Sequence, residues 1–253
     1  MTDGLQVTVA EGVTRFVINR PQVKNALDRA TMLALSAAFR AFEHDPEQRV
    51  GVLTGAGGSF CSGADLKELA GGTDYVAWAG DAEGPLHRRL EKPLIAAIEG
   101  HACAGGIGLA LFCDIRIVDS TATFGIFSRR WGVPMSDGTT VRLPRLIGMG
   151  PAMDMLLTGR AVGANEAIEL GLASRLVADG EALAEAEKLA RAMADFPQIA
   201  MNSDRRSMYG QQGLGEGAAI AQELECAEAA RRREAQAGAR RFADGAGRHG
   251  RFE

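Results

Sequence analysis

Short apolar runs ending in turn residues, helical segments with an apolar residue every three or four positions, and glycine-rich turns where the two meet predict an α/β fold for this chain of 253 residues. With 46% hydrophobic residues the chain can bury one large core, and the 24% that are charged provide the solvated surface such a core needs. Val13 to Ile18 reads as a strand that stops at Asn19-Arg20-Pro21, where proline interrupts regular pairing. Asp28 then caps a helix whose Met32, Leu35, Phe39 and Phe42 share one face, and Asp45-Pro46 closes it. The pattern recurs. Val50 to Leu53 runs into Thr54-Gly55-Ala56-Gly57-Gly58-Ser59, Pro93 to Ile98 runs into a second glycine turn, and Ile115 to Val118 leads to Ala122-Thr123-Phe124-Gly125.

Between Ala70 and Leu90 the sequence is glycine-rich and mixed, which predicts a mobile loop with a short helix rather than core. The last third reads as mainly helical. Leu183, Ala186, Leu189, Ala190 and Met193 share a face, and a stretch rich in Ala, Glu and Arg fills 216–243. Its run Arg231-Arg232-Arg233 is a solvated helix face, balanced by nearby acids.

A net charge of −4 leaves no electrostatic footprint for nucleic acid, and no apolar window is long enough to span a bilayer. The opening residues lack the basic and apolar regions of a secretory signal, and Cys61, Cys103, Cys113 and Cys226 form no CxxC pair or metal-ligand spacing. The expectation is a cytoplasmic protein with free thiols and no metal.

Two segments carry most of the chemical information: residues 57–66, GGSFCSGADL, and residues 100–109, GHACAGGIGL. Each is read as following a strand and opening a helix. Small residues there let backbone approach a ligand, and the unpaired N–H groups at a helix start favour negative charge. Two such turns face to face make an oxyanion hole. Neither segment contains the Gly-Lys-Ser/Thr of a P-loop, and Gly105-Gly106-Ile107-Gly108 does not match the G-x-G-x-x-G spacing of a dinucleotide fold. Either turn alone is better explained by tight strand-to-helix packing.

Together the two turns resemble the crotonase (enoyl-CoA hydratase/isomerase) superfamily. Asn25-Ala26-Leu27-Asp28, GGSFCSGADLKEL, KPLIAAIEGHACAGGIGLALFCDIRI, FGIFSRRWGVP with GTTVRLPRLIG, and LTGRAVGANEAIELGLASRLV occur in the order and spacing of that family and cover nearly the whole chain. The resemblance implies a crotonase-like spiral of ββα units over residues 1–194 and a helical C-terminal trimerisation region over 195–253, giving a homotrimer or a dimer of trimers. It also implies an acyl-CoA thioester as substrate, with coenzyme A the carrier and no tightly bound cofactor. The backbone N–H groups of Ala64 and Gly105 correspond to the oxyanion-hole donors. Lys24, Ala26, Ala64, Asp65 and Leu66 fall where family members hold the adenine and pantetheine parts of CoA, largely through backbone contacts.

The chain departs from the pattern at the acid and base. Where the resemblance places the two glutamates of the hydratases, this sequence has Gly108 and Ser128. Glycine has no side chain and serine no useful acidity near neutral pH. Asp137 lies in the loop where dienoyl-CoA isomerases and some dehalogenases of the superfamily carry a catalytic aspartate, one position out of register with the former, and Ser136 holds the in-register place. Asp137 is therefore the first candidate for acid/base work, with capping of its own turn as the competing role. The other candidates read more simply as structure. His87 and Glu83 fit exposed positions, His101 a packed histidine, Asp65 a helix cap, Cys61 and Cys103 buried small residues, and Arg129 and Arg130 a turn surface. Enoyl-CoA hydration leads the functional readings. Enoyl- or dienoyl-CoA isomerisation, acyl-CoA thioester hydrolysis and a non-catalytic CoA-thioester-binding scaffold remain open, with a dinucleotide-dependent oxidoreductase more distant.

Overall fold

The fold is described from a computed structural model, in which residues 3–72, 76–80 and 82–247 are described. Two units make up the chain, Met1–Ala194 and Asp195–Glu253. In the first, the strands are β1 (Leu5–Ala10), β2 (Val13–Ile18), β3 (Val50–Gly55), β4 (Leu94–Ile98), β5 (His101–Cys103), β6 (Ile115–Asp119), β7 (Thr123–Gly125), β8 (Ala161–Gly163) and β9 (Arg175–Val177). Its α-helices are α1 (Arg29–His44), α2 (Leu66–Ala70), α3 (Gly105–Phe112), α4 (Thr139–Ile147), α5 (Met149–Thr158), α6 (Ala164–Glu169) and α7 (Ala182–Ala194).

One sheet runs in the order β1-β2-β3-β4-β6-β9, parallel throughout except for the β1–β2 hairpin at its edge. A smaller sheet, β5-β7-β8, pairs β5 with β7 in parallel. Alternation along the strands divides the large sheet between two cores, because successive side chains point to opposite faces. Phe16, Ile18, Leu53, Ala96, Ile98 and Val118 belong to one core together with Leu35, Phe39 and Phe42 of α1. Val50, Val52, Ile95, Ala97 and Ile117 belong to the other, packed with Ala182, Ala186, Ala190 and Ala194 of α7. The four alanines recur every fourth residue, so α7 presents a smooth stripe to the sheet.

The elements expected from periodicity form where expected. Asp28 caps α1 by accepting from Thr31 N at 2.8 Å, and Met32, Leu35, Phe39 and Phe42 are its buried face. The segment before Leu90 differs from expectation. Its helix α2 ends at Ala70, and the backbone beyond Val76 is turn and coil, yet Trp78, Leu86 and Leu90 are buried in the main core. The backbone there follows its glycines, while three large apolar side chains anchor it. Residues 73–75 and 81 lie outside the described part. In the second unit, α8 (Gln198–Gly210) packs against α9 (Glu216–Ala230), which continues through a π-turn, Arg231–Ala235, into α10 (Gln236–Ala243). Arg231 and Arg232 are exposed and both pair with Glu228 one turn earlier, as a solvated helix face does.

Candidate active site

The two glycine turns are stitched side by side. Cys61 N donates to His101 O at 2.8 Å and Cys103 N to Cys61 O at 2.9 Å, so the first turn runs alongside β5. On its other side, Leu27 N donates to Gly63 O at 2.8 Å and Asp65 N to Leu27 O at 2.9 Å. Alternation along an extended backbone then points the Ala64 N–H away from Leu27. Gly63 has φ +106°, and a carbon added to it would fall 3.0 Å from Gly105 N, so the two turns touch.

Gly105 is the first residue of α3, where the N–H groups have no partner within the helix. Ala104 before it adopts φ 47°, ψ −120°, a conformation an L-residue rarely takes, and is held there by its N–H bond to Gly125 O at 2.8 Å. That ψ sets the direction of the Gly105 N–H. Among the described residues, neither the Ala64 nor the Gly105 amide has a protein acceptor.

Ala64 and Gly105 both line a cavity of about 170 Å³, with Leu66, Trp78, Ser128 and Asp137 among the other walls. The lining is mostly apolar, a setting in which a polar group acts at low dielectric. Asp137 is 3% exposed, and its Oδ1 accepts from Thr139 N at 2.9 Å, so the carboxylate does cap its own turn. Burial pushes the Asp137 carboxyl above its ordinary pKa, and the Thr139 hydrogen bonds and the Arg142 charge offset only part of the rise. Arg142 fixes this loop against the preceding segment, donating to Asp137 O and to Leu86 O, each at 2.9 Å. Ala79 N adds a bond to Ser136 O at 2.9 Å.

Asp137 stands against Gly108. A carbon added to Gly108 would lie 2.5 Å from Cγ and 2.6 Å from Oδ2 of Asp137, so the carboxyl group fills the space that any side chain on Gly108 would need. Ser128 lines the same cavity, 8% exposed, with its hydroxyl 3.4 Å from Met135 Sδ.

Of the remaining predicted residues, His101 and Cys103 line the same cavity and the others lie outside its lining. Lys24 is exposed with φ 50°, and its ammonium stands 3.4 Å from His101 Nε2, on the cavity wall. Burial and the Lys24 charge together lower the His101 pKa. Ala26 is buried, its amide bonded to Val23 O and its carbonyl to Arg20. Asp65 caps α2 through Lys67 N at 3.1 Å and pairs with Arg20 at 3.0 Å. Burial raises its pKa, but the bonds from Arg20 and the α2 amides outweigh burial and hold the carboxyl below its usual value. Arg129 and Arg130 are committed to the main-chain carbonyls of Leu156 and Gly159. Burial pushes the Cys61 and Cys103 thiols up to about 12, so both remain protonated. Sequence reasoning missed Trp78 and Arg142. A lone tryptophan among glycines was the only signal for the first, and a single arginine in a helical pattern gave none for the second.

Residues 8–247 match the family model described as enoyl-CoA hydratase/isomerase. The chain is 40% identical over 198 residues to enoyl-CoA hydratase EchA19 of Mycobacterium tuberculosis, covering 76% of this chain and 74% of that one. It is 38% identical over 196 residues to a crotonyl-CoA hydratase of Syntrophomonas wolfei, covering 76% and 75%. The crystal structure of enoyl-CoA hydratase EchA1 from Mycobacterium marinum superposes with a TM-score of 0.90 at 34% identity over 96% of each chain. With the motifs in order along the chain and this architecture shared almost end to end, the protein belongs to the enoyl-CoA hydratase/isomerase family, the crotonase superfamily.

Proposed function

We propose that this protein is an enoyl-CoA hydratase in which one buried aspartate, Asp137, does the acid and base work of the two glutamates in the hydratases it resembles. The observation that carries the reading is the packing of the Asp137 carboxyl over Gly108, in one cavity with Ala64 and Gly105. A carboxylate has been supplied from the loop before α4 to the space next to α3 where the resemblance puts the first glutamate. The names of the relatives support the same chemistry.

The steps follow from the charges. The thioester oxygen accepts hydrogen bonds from the Ala64 and Gly105 amides, which withdraws electron density from Cβ. Asp137 as carboxylate takes a proton from water as the water oxygen bonds to Cβ, and the alkene electron pair moves onto the thioester as an enolate. The two N–H groups hold that charge, and each such donor is worth about 2.7–4 kcal/mol of transition-state stabilisation. Protonated Asp137 then returns the proton to Cα. A carboxyl with a raised pKa suits both halves of this exchange, since it gives up and regains a proton closer to neutral pH. Lys24, Ala26, Asp65 and Leu66 belong to the proposed path of the CoA carrier. Ala26 contributes there by shaping the loop, since both its backbone groups are engaged. Met208, Ile220, Leu224 and Phe242, left exposed by the helices of residues 195–253, support the homotrimer or dimer of trimers within the same proposal.

The test is mass spectrometry of crotonyl-CoA and longer enoyl-CoA esters incubated with the protein in D2O, beside Asp137→Asn. Gain of the mass of water, falling about 10²- to 10⁴-fold in rate in the variant, is expected. Deuterium incorporation without water would replace hydration by isomerisation. Turnover unchanged by Asp137→Asn refutes the assignment of the acid/base.

A further inference from the structure

We propose that Trp78 sets the length of acyl chain this site accepts, by closing the main cavity off from a second, smaller lobe that lies behind the indole. The inference rests on the CoA-thioester reading above and deepens it. Beyond the cavity of about 170 Å³ lies a smaller one of about 30 Å³. Trp78 and Ala64 line both, so the indole and the first turn form the partition. Leu27, Met32, Leu69 and Val76 are the apolar walls of the small lobe, which Asp28, Arg29, Asp65 and Glu68 also line, and Leu27 and Met32 are each 3% exposed.

The partition is held firmly. Trp78 is 3% exposed, and its six-membered ring presses on Gly105, where an added carbon would lie 2.5 Å from the ring. Leu86 N bonds to Trp78 O at 2.7 Å, and Ala79 N to Ser136 O at 2.9 Å, so the peptide that follows Trp78 is fixed at both its carbonyl and its amide. A thioester bound with its carbonyl at Gly105 therefore starts its acyl chain beside the indole. A short chain ends within the main cavity. A long one meets the ring, although further space begins on its far side.

Removing the ring joins the two lobes. Each further methylene buried contributes about 0.8 kcal/mol, or roughly fourfold in affinity. The experiment is calorimetric titration of the full chain with butyryl-CoA and octanoyl-CoA, saturated esters that cannot be hydrated. In Trp78→Ala the ratio of octanoyl to butyryl affinity is expected to rise at least tenfold over that of the unaltered protein. Adding Leu69→Phe, which refills the small lobe, is expected to cancel the rise. If Trp78→Ala does not fold, Trp78→Leu, which keeps an apolar side chain at that position, reads the same ratio. An unchanged ratio, or a rise that survives Leu69→Phe, overturns the gate. Because these esters only bind, failure of the gate is separable from failure of hydration. Binding with the expected length profile but no turnover of crotonyl-CoA would sink the proposed reaction alone.

Discussion

Replacing Gly108 by alanine sets two effects of opposite sign against each other. Gly108 lies inside α3, where alanine is favoured over glycine by about 0.5–1 kcal/mol because the unfolded chain has less freedom to lose. The added methyl, however, would fall 2.5–2.7 Å from the Cγ, Oδ2 and Cβ of Asp137, which is itself buried and bonded to Thr139 N. Overpacking of this kind costs about 1–3 kcal/mol. The clash exceeds the propensity gain, so Gly108→Ala is expected to destabilise the protein by about 1–2 kcal/mol. At about 2–4 °C per kcal/mol for a domain of this size, that is a melting temperature lower by about 2–8 °C. The cycle is completed with Asp137→Gly, which removes all three clashing atoms. In that background Gly108→Ala should be neutral or stabilising, since only the helix preference remains. Thermal melts of the four proteins at equal concentration and pH give the coupling directly. A Gly108→Ala protein that melts higher than its parent, or the same shift with and without Asp137, would refute the packing of that carboxyl over α3.

Two further outcomes are expected. The folded Asp137 carboxyl binds its proton more tightly than an ordinary aspartate of pKa 3.8, so its contribution to stability is complete below that value and is lost as pH rises through the folded pKa. Asp137→Asn has no proton to lose, so its melting temperature relative to the parent should be higher at pH 7 than at pH 4, and an equal difference at both would refute the raised pKa. Cys61, Cys103 and Cys113 are buried with thiols pushed up by desolvation, while Cys226 is only half-buried. Iodoacetamide at pH 8 followed by peptide mapping should find Cys226 modified first, and early labelling of Cys61 would contradict the burial.

The parts of this fold that were legible in the sequence are those in which one local rule acts over many residues. The face of α1 is fixed by four apolar side chains at helical spacing, and Asp28 marks its start. The apolar runs of β3 and β4 are buried on both faces, as parallel strands between two layers are. The three-residue strands β5, β7, β8 and β9 were not legible, because three residues carry no period. The core role of Trp78 and Leu86 was hidden for a different reason. Their surroundings are turn-forming, and burial there is decided by tertiary contact. The site divides in the same way. The turns at Ala64 and Gly105 announce themselves as runs of small residues, whereas the relation between Gly108 and Asp137 is a contact between distant segments. From the sequence, Gly108 reads as an absent glutamate and Asp137 as the first acid/base candidate or a turn cap, with nothing to join the two.

That division has a physical basis which bears on why one fold serves several reactions. The carbonyl-polarising groups of the proposed mechanism are backbone amides, aimed by the strain at Ala104 and by the pairing of the first turn with Leu27, so any sequence that keeps these turns keeps the donors. The acid and base are side chains, and a carboxylate can reach the same space from more than one segment. With the carboxylate in the loop before α4 rather than on α3, as proposed, a side chain at 108 is disfavoured because it would press on Asp137. On the proposed mechanism the glycine at 108 is the counterpart of Asp137 rather than a sign of lost chemistry. The raised pKa that burial gives Asp137 is the second feature the proposed exchange uses, since a carboxyl that holds its proton more tightly can return it to Cα.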